Sequence, residues 1–245
     1  MTDDTYLFVS DLHLGADAPE AVAQFLAFLK ADARDADALY ILGDLFEAWV
    51  GDDDAEEARD RVCRALREFA ATTPLFVLRG NRDFLFGPGF EARTGATLLP
   101  DPVLLEVGEV RALVSHGDLF CTDDHRYQEL RATVREAAWQ ARFLGLPLAT
   151  RRVVADAARA GSKAHTRSTM RSIMDVNEPA VLAGMRASGA RMLIHGHTHR
   201  PAIHRFKVDG EAAVRIVLGD WYDQGSVLTM RNDGSYELKA LDREE

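Results

Sequence analysis

The sequence predicts an α/β fold, because short apolar runs alternate with helical patterns along much of the chain. The runs are four to six residues long and rich in Val, Leu, Ile and aromatic residues, which is typical of buried strands. Strands that alternate with helices indicate an α/β architecture, and ligands of such folds collect at the carboxyl ends of the strands. The runs and the polar residues beyond them are YLFVS and Asp11, ALYIL and Asp44, LFVLR and Asn81, RALVS and His116, and MLIH and His197.

The elements between and after these strands follow from periodicity. Apolar residues fall at helical spacing over 19–31 and again over 55–71. Asp52, Asp53 and Asp54 lie just ahead of the second helix, and we expect them to cap it, the alternative being that they orient the site. At the chain end, RIVLGDW and SVLTMRNDG followed by SYELKAL predict an antiparallel finish with an Asn-Asp-Gly turn.

The stretch of about 124–190 breaks this rhythm, and we interpret it as a helical cap inserted over the site, within one domain of residues 1–245. An apolar stripe at helical spacing comprises Tyr127, Leu130, Val134, Ala138 and Ala141. A second apolar set, off that stripe, comprises Trp139, Phe143, Leu146 and Leu148. Pro147 is expected to close this helix.

Composition and charge narrow the function classes. The 245 residues are 47% apolar and 28% charged, which is the composition of a globular protein with a sizeable core. The formal net charge of −10 argues against nucleic acid as a partner. Residues 125–172 are the exception, because they hold ten Lys or Arg against three Asp or Glu, and this indicates an anionic partner there. Nothing in the sequence implies an obligate protein partner.

Two further features bear on the compartment. Cys63 and Cys121 lie far apart and outside any CxxC spacing, so free thiols are favoured, and a disulfide between them stays open. The N-terminus is acidic and enters a strand at once, unlike a signal peptide. No apolar run approaches the ~20 residues that cross a bilayer. We therefore expect a cytoplasmic protein, with attachment to a membrane surface left open.

Seven polar residues beyond the strands have side chains suited to binding metal ions. They are Asp11, His13, Asp44, Asn81, His116, His197 and His199. Residues two apart in an extended segment point the same way, so Asp11 and His13 can share one ion, and His197 and His199 can face two neighbouring ions. The glycine before Asp44 allows a tight turn, and the Asp44 carboxylate is suited to bridge two ions.

This set of carboxylates, an amide and imidazoles suits manganese, iron or zinc better than calcium. Two ions ~3.5–4 Å apart would hold a bridging hydroxide as nucleophile and clamp the oxygens of a phosphate ester or anhydride. One such motif alone would decide little, but five clusters, each after its own strand, favour a metal site. His195 is expected to support the site or to pack, and His125, His165 and His204 to lie on the surface.

The order DLHLG, GDLFEAW, GNRD, HGD and HGHTHRP resembles the calcineurin-like metallophosphoesterases over residues 7 to about 220. The resemblance implies a β-sandwich flanked by helices. The third motif of that family is GNH followed by an acid, and its histidine is thought to assist the leaving group, whereas here the position is Arg82. An arginine stabilises charge, and a phosphate monoester, with a second pKa of ~6, leaves with little protonation. Arg82 therefore favours a pyrophosphate substrate over an alkyl phosphate ester.

A narrower resemblance covers nearly the whole chain. ALYILGDLFEAWVGDDD, GNRDFLFG, SHGDLFCTDD, IMDVN, LIHGHTHRPA and VLGDW resemble the UDP-2,3-diacylglucosamine hydrolase family of lipid A biosynthesis. The resemblance implies hydrolysis of the pyrophosphate of UDP-2,3-diacylglucosamine to UMP and 2,3-diacylglucosamine 1-phosphate. It also implies two Mn²⁺ per chain and a peripheral location on the cytoplasmic side of the bacterial inner membrane.

The resemblance also implies roles for individual residues. One metal side takes Asp11, His13, Asp44 and His199. The other takes Asn81, His116 and His197 and shares Asp44. The catalytic residues are Asp44, Asn81, Arg82, His116 and His197. The substrate contacts are Asn81, Arg82, Asp124, Ser162, Thr166, Thr169 and His197. At Thr166 and Thr169 the family pattern has an Asn and a Lys, and Arg167 or Arg171 is the hypothetical substitute for that lysine.

A lipid substrate would also account for the cap, because two acyl chains need an apolar groove and the arginines could meet phosphate or anionic headgroups. The alternative is that Trp139 and Phe143 pack the cap onto the core and that the arginines are solvated. Rival functions are a cyclic-nucleotide phosphodiesterase, a pyrophosphatase of soluble nucleotide sugars, a non-catalytic binding scaffold and a nuclease. The complete ligand set argues against a scaffold, and the net charge argues against a nuclease.

Overall fold

The computed structural model describes residues 4–108, 110–168, 173, 175–222 and 224–241, with the helical backbone but not the side chains of 162–168. Within these residues the strands form two sheets. The strands are β1 (Thr5–Val9), β2 (Ala38–Ile41), β3 (Leu75–Val77), β4 (Thr97–Leu98), β5 (Val103–Val107), β6 (Val110–Ser115), β7 (Met192–His195), β8 (Ala202–Val208), β9 (Glu211–Val217), β10 (Gly225–Arg231) and β11 (Tyr236–Leu241).

The first sheet has the order β11-β10-β1-β2-β3-β4 and the second the order β5-β6-β7-β9-β8. β1, β2 and β3 run parallel, as do β6, β7 and β9, so their carboxyl ends meet at one edge of the sandwich. The two sheets pack face to face through an apolar core that includes Phe8, Leu42, Val114 and Ile194. This arrangement is the predicted β-sandwich with flanking helices.

The continuous apolar runs reflect burial on both faces of each central strand. In β1, Phe8 points into the core between the sheets, while Leu7 and Val9 pack against helices on the outer face. These helices are α1 (Pro19–Lys30), α2 (Glu57–Ala70) and α3 (Pro88–Thr94). Period-two alternation places neighbouring side chains on opposite faces, so a fully apolar run is what a covered strand requires.

Three helices follow β6 and a short 3₁₀ turn at Asp118–Phe120, namely α4 (His125–Arg135), α5 (Ala137–Leu144) and α6 (Leu148–Ser168). The sequence predicts one continuous stripe over the first two, but the backbone at Glu136 is extended, with φ −68° and ψ 130°, and separates them. Pro147 lies between α5 and α6, as the predicted helix end requires. Helix α7 (Glu178–Ser188) packs Val181 and Met185 against the second sheet.

The acidic run before α2 does not cap that helix, so this prediction was wrong. The residue at the N-cap is Glu56, which makes no side-chain capping bond. Asp52 instead accepts hydrogen bonds from the Trp49 indole and the Gly89 amide. Asp53 and Asp54 form ion pairs with Arg151 and Arg152 of α6. The run therefore ties α6 to the sandwich, which periodicity of a single helix could not reveal.

Other local predictions had mixed outcomes. β10 and β11 form the predicted antiparallel pair, but the strand within RIVLGDW, β9, lies in the other sheet beside β7 and β8. Cys63 and Cys121 are buried free thiols, as favoured. Among the described residues, none of the helices is apolar enough over a membrane-spanning length to cross a bilayer.

Candidate metal centre

The candidate ligands lie in the loops that leave the parallel strands at the shared edge of the sandwich. Five of the seven have a left-handed backbone: Asp11 (φ 55°), His13 (50°), Asp44 (52°), His197 (68°) and His199 (54°). This conformation costs a non-glycine residue about 1 kcal/mol or more and persists where the surroundings enforce it, most often at functional sites. The backbone is thus bent to aim these side chains at a common centre.

Two glycines permit this approach. A Cβ on Gly80 would lie 2.1 Å from Oδ1 of Asp44, and one on Gly196 would lie 2.2 Å from Oδ2 of Asp11. Neither contact is possible for a real side chain. Gly80 of GNRD and Gly196 of HGHTH are therefore glycines because the carboxylates occupy the space that a side chain would need. The Asp11 carboxylate then accepts a hydrogen bond of 2.8 Å from the amide of His197, which joins the first and last motifs.

Asp83 organises the loops beneath the site. Its carboxylate is buried and accepts hydrogen bonds from the amides of Gly80 (2.8 Å), Leu45 (2.7 Å) and Asp44 (3.2 Å). Burial and the nearby Asp44 raise the pKa of Asp83 to about 7. The sequence analysis did not assign this residue a role, although its place in the GNRD motif was a usable signal.

The first ligand cluster consists of Asp11, His13 and His199, whose candidate ligand atoms lie within 4.8 Å of one another. Nε2 of His199 lies 3.3 Å from Oδ1 of Asp11 and 3.4 Å from Nε2 of His13. The Nδ1 atoms point away, His13 to Glu47 and His199 to Asp220, each at 3.0 Å. A carboxylate on Nδ1 leaves Nε2 available as the ligand, so both rings are oriented for one ion.

The second cluster is formed by Asn81, His116 and His197. Oδ1 of Asn81 lies 2.9 Å from Nε2 of His116 and 2.8 Å from Nδ1 of His197. Nδ1 of His116 donates to the Leu42 carbonyl oxygen at 2.8 Å, which leaves Nε2 for the centre. Three ligand atoms of the types that divalent transition metals accept therefore converge at this second position.

Asp44 lies between the clusters. Its Oδ2 is 3.8 Å from Nε2 of His13, and its Oδ1 is 3.8 Å from Nε2 of His116. Asp11 also belongs to both groups of neighbouring ligand atoms, one with His13 and His199 and one with Asp44 and His116. All seven predicted ligands are thus brought together, with Asp44 placed to span two metal positions.

The residues present fit a pair of divalent cations. Oδ1 of Asp11 is buried without a hydrogen bond of ordinary geometry in the described residues. Burial alone would lower the pKa of both His199 and His116, but nearby carboxylates outweigh it. Asp11 and Asp220 raise the pKa of His199 to about 10. Asp44 and Asp11 raise the pKa of His116 to about 9. Burial and the neighbouring His116 lower the pKa of His197 to about 4. Positive charge is therefore stabilised at two positions, as two cations would require.

The predicted substrate contacts have different surroundings. The amide of Arg82 donates to Oδ1 of Asp44 at 2.8 Å, and its half-buried side chain lies near Glu47. Asp124 is buried and caps α4 by accepting from the Tyr127 amide at 3.0 Å. Ser162 and Thr166 lie on α6, but their side chains are outside the described residues, as are the side chain of Arg167 and all of Thr169 and Arg171.

His195 is buried against the site without facing it. Its Nδ1 lies 2.8 Å from the Gly196 carbonyl oxygen, and Nη1 of Arg215 lies 3.2 Å from its Nε2. Burial lowers its pKa to about 3, so it is neutral. It packs behind the loop that carries His197, which agrees with the supporting or packing role expected from the sequence.

Helix α4 braces the site, which the sequence analysis missed. Tyr127 and Arg131 donate to Oδ2 of the buried Asp118, at 2.6 and 2.8 Å. Arg135 donates to the Gly80 carbonyl oxygen at 2.9 Å. The Tyr127 ring also lies 5.7 Å from the ring of His197. One aromatic and two basic residues of α4 therefore hold two loops that carry candidate ligands in place.

Comparison with known proteins agrees with this geometry. Residues 5–201 match the calcineurin-like phosphoesterase family. The chain is 47% identical to UDP-2,3-diacylglucosamine hydrolase of Stenotrophomonas maltophilia (strain K279a), over 98% of this chain and 100% of that protein. It is 45% identical to the enzyme of that name in Coxiella burnetii (strain Dugway 5J108-111), over 96% of this chain and 97% of that protein.

Among solved structures, Yfce, a phosphoesterase from E. coli, aligns with a TM-score of 0.47 and 16% identity over 97% of this chain and 100% of that one. The two full-length relatives and the family match decide the assignment, since each covers the loops that carry all seven candidate ligands. The chain is a metal-dependent hydrolase that belongs to the calcineurin-like phosphoesterases and, within them, to the family of UDP-2,3-diacylglucosamine hydrolases.

Proposed function

We propose that this chain hydrolyses the pyrophosphate bond of UDP-2,3-diacylglucosamine to UMP and 2,3-diacylglucosamine 1-phosphate, in lipid A biosynthesis. The observation that carries the proposal is the convergence of seven ligands in a chain that is 45–48% identical, over nearly its full length, to proteins of that name. His13, His116 and His199 each have one ring nitrogen held by a hydrogen-bond partner, and the amide of His197 donates to Asp11. These contacts support an intact catalytic centre rather than a non-catalytic binding scaffold.

Two Mn²⁺ ions are proposed as the cofactors. Asp11, His13 and His199 would hold one, Asn81, His116 and His197 the other, and Asp44 both. When bound, such a pair activates water and neutralises the charge on phosphate oxygens. This division follows the two clusters described above and is supported by the placement of the Asp44 oxygens between His13 and His116.

The protein side chains position the substrate and stabilise charge. Arg82 is held by its amide on Asp44 and presents a guanidinium where family members with GNH carry a histidine. A permanent cation there favours the extra charge of the departing phosphate and has no proton to transfer. We assign Asn81, Arg82 and His197 to the phosphate groups, and Asp124, Ser162, Thr166 and Thr169 to the sugar half.

The helices after β6 are proposed to present the protein to the cytoplasmic side of the bacterial inner membrane as a peripheral protein. Leu144 and Leu146 are each 40% exposed, and Val153 and Val154 are 67% and 42% exposed. Four large apolar residues are thus exposed within eleven positions of the chain, and exposed apolar patches are the features that mark interaction sites. An acylated substrate would be taken up from that side.

The test uses purified, metal-stripped protein with UDP-2,3-diacylglucosamine, with and without Mn²⁺, and follows UMP release. Matched reactions contain UDP-N-acetylglucosamine or the His197→Ala variant. Metal-dependent release from the acylated substrate alone, lost in the variant, is the expected result. Release from both substrates would replace the lipid enzyme by a pyrophosphatase of soluble nucleotide sugars, and release from neither, with metal bound, would sink the assignment.

A further inference from the structure

A cavity of about 680 Å³ opens beside the first ligand cluster, outside the catalytic groups assigned above. Its walls are the 13–18 loop, the 47–50 segment and one face of α6, and His13 itself forms part of the wall. This volume is in the range of small-molecule sites. Because His13 belongs both to this wall and to the first ligand cluster, a group bound in the cavity would lie next to a phosphate bound at the metal centre.

Tyr222 supplies an aromatic surface in this cavity. Its ring stacks on the His13 ring with centroids 4.9 Å apart and an interplanar angle of 13°. It also lies 5.8 Å from the His199 ring, so it is fixed against both rings of the first cluster. Despite these contacts the residue is 48% exposed. An exposed aromatic ring held at a polar site is the usual platform for stacking a nucleobase.

The charges around the cavity indicate the class of ligand. Carboxylates outnumber cations in the lining, with Asp17, Glu47, Asp54, Glu56 and Asp156 against Arg59, Arg152 and Arg159. All three arginines are already in ion pairs with these same acids. An additional phosphate would meet net negative charge, and an acyl chain would desolvate the ion pairs at a cost. A neutral group with hydroxyl and N–H donors suits these acceptors.

The face of α6 that lines the cavity is distinct from its apolar surface. Arg152, Ala155, Asp156, Arg159 and Ala160 recur at helical spacing along the cavity. Val154 lies off that face and is exposed elsewhere. The helix therefore separates a cavity of mixed charged and apolar lining, next to the candidate metal ligands, from an apolar surface on its other side. Two chemically different halves of a substrate could then occupy two different places.

We propose that this cavity binds the uridine half of the substrate, with the uracil ring stacked on Tyr222 and the ribose hydroxyls donating to the carboxylates of Asp17 and Asp156. The inference rests on the proposed function, since it presumes a uridine nucleotide. It adds a second recognition site on the His13 side of the centre. The α-phosphate of the nucleotide would then lie between this cavity and the metal ligands.

The test measures UMP binding to the Mn²⁺-loaded full-length protein by calorimetry, with inorganic phosphate as the second probe. Tyr222→Ala should weaken UMP binding by about 10-fold or more, and Tyr222→Phe, which keeps the ring, by less than about twofold. Phosphate binding, which needs only the metals, should lose far less than UMP binding. Leu130→Ala is the matched control, because Leu130 is 54% exposed on α4 and outside the cavity.

Equal weakening of UMP and phosphate in Tyr222→Ala would mean that the variant disturbs His13, and this would overturn the stacking role, as would unchanged UMP binding. If a 2′,3′-dideoxy form of UMP bound as tightly as UMP, this would rule out the proposed contacts of the ribose hydroxyls. None of these readouts needs turnover. If UMP binding depends on Tyr222 while UDP-2,3-diacylglucosamine is not hydrolysed, the lipid substrate fails and the uridine cavity stands.

Discussion

Glu47 holds His13 in place, with one carboxylate oxygen 3.0 Å from Nδ1 of the ring. The other oxygen of Glu47 lies 3.9 Å from Nη1 of Arg159 on α6. The helix above the site is therefore linked, through one carboxylate, to a candidate metal ligand. Burial alone would raise the pKa of Glu47, but the hydrogen bond to His13 and the charge of Arg82 bring this pKa below its ordinary value. The carboxylate is therefore ionised.

Replacing Glu47 should weaken metal binding without removing a ligand. We expect Glu47→Ala to lower Mn²⁺ affinity about 10–100-fold, because the His13 ring loses the partner that fixes its orientation. Glu47→Gln keeps an acceptor for Nδ1 and should lose less. Calorimetric titration of metal-stripped protein measures both affinities. Glu106→Ala, at an exposed site in β5, is the control, and a Glu47→Ala affinity equal to that of the control would refute the link.

The positions of the candidate ligands could be predicted from the sequence because they follow from local rules. A polar residue directly after a buried strand lies at the sheet edge, and parallel strands bring such residues together. Asp11 and His13 needed only this rule. The hydrogen-bond partners of the histidines did not follow from this rule. Glu47 is 34 residues from His13, and Asp220 is 21 residues from His199. Such pairings depend on how loops pack, which one sequence does not state.

The region after β6 shows the opposite balance. Helical periodicity identifies apolar positions but does not say which face meets the core. Phe143 is 8% exposed and belongs to the main apolar core, and Trp139 stacks on it at 5.0 Å. The packing alternative was therefore the right one for Phe143, and Phe143→Glu would damage folding. The arginines of the cap were expected to meet phosphate or anionic headgroups, whereas the structure pairs two of them, Arg151 and Arg152, with Asp53 and Asp54.

Two buried histidines near the centre should respond differently to truncation. His116→Ala removes a candidate ligand and should abolish binding of the second Mn²⁺, measured by metal content after dialysis. His195→Ala leaves the seven candidate ligands in place and should lower the melting temperature instead, because it opens a cavity beside Arg215. Loss of metal in His195→Ala with an unchanged melting temperature would contradict this division of roles.

Metal binding should strengthen as pH rises from 6.5 toward 9. In the metal-free protein the pKa of His116 is raised to about 9 and that of His199 to about 10, so both rings hold a proton at neutral pH. A metal ion must displace these protons, and its affinity therefore increases as they are lost. Calorimetry in buffers of different ionisation enthalpy counts the protons released. His204→Ala, at an exposed histidine, should behave as wild type, and a pH-independent affinity would exclude the two raised pKa values.

Arg151 should contribute to stability well beyond a surface ion pair. Its side chain is 3% exposed and donates to the carbonyl oxygens of Val50 (2.6 Å) and Leu146 (3.0 Å) as well as to Asp53. Arg151→Met leaves these acceptors without a donor and should lower the free energy of unfolding by about 2 kcal/mol. Urea denaturation measures the change. Arg142→Met, at an exposed position on α5, should cost little, and equal losses for both variants would discard the argument.

Membrane attachment should depend on the exposed valines of α6 rather than on the packed aromatic residues of α5. Val153 and Val154 are 67% and 42% exposed, and a carboxylate at either position would have to be desolvated on entering a lipid surface. We expect the double variant Val153→Asp and Val154→Asp to bind vesicles of bacterial phospholipids about 10-fold more weakly, measured by sedimentation. Ile203→Asp is the control, because Ile203 is 40% exposed on β8 of the second sheet and does not belong to α6. Equal binding by all three proteins would show that lipid reaches the site by a route other than this surface.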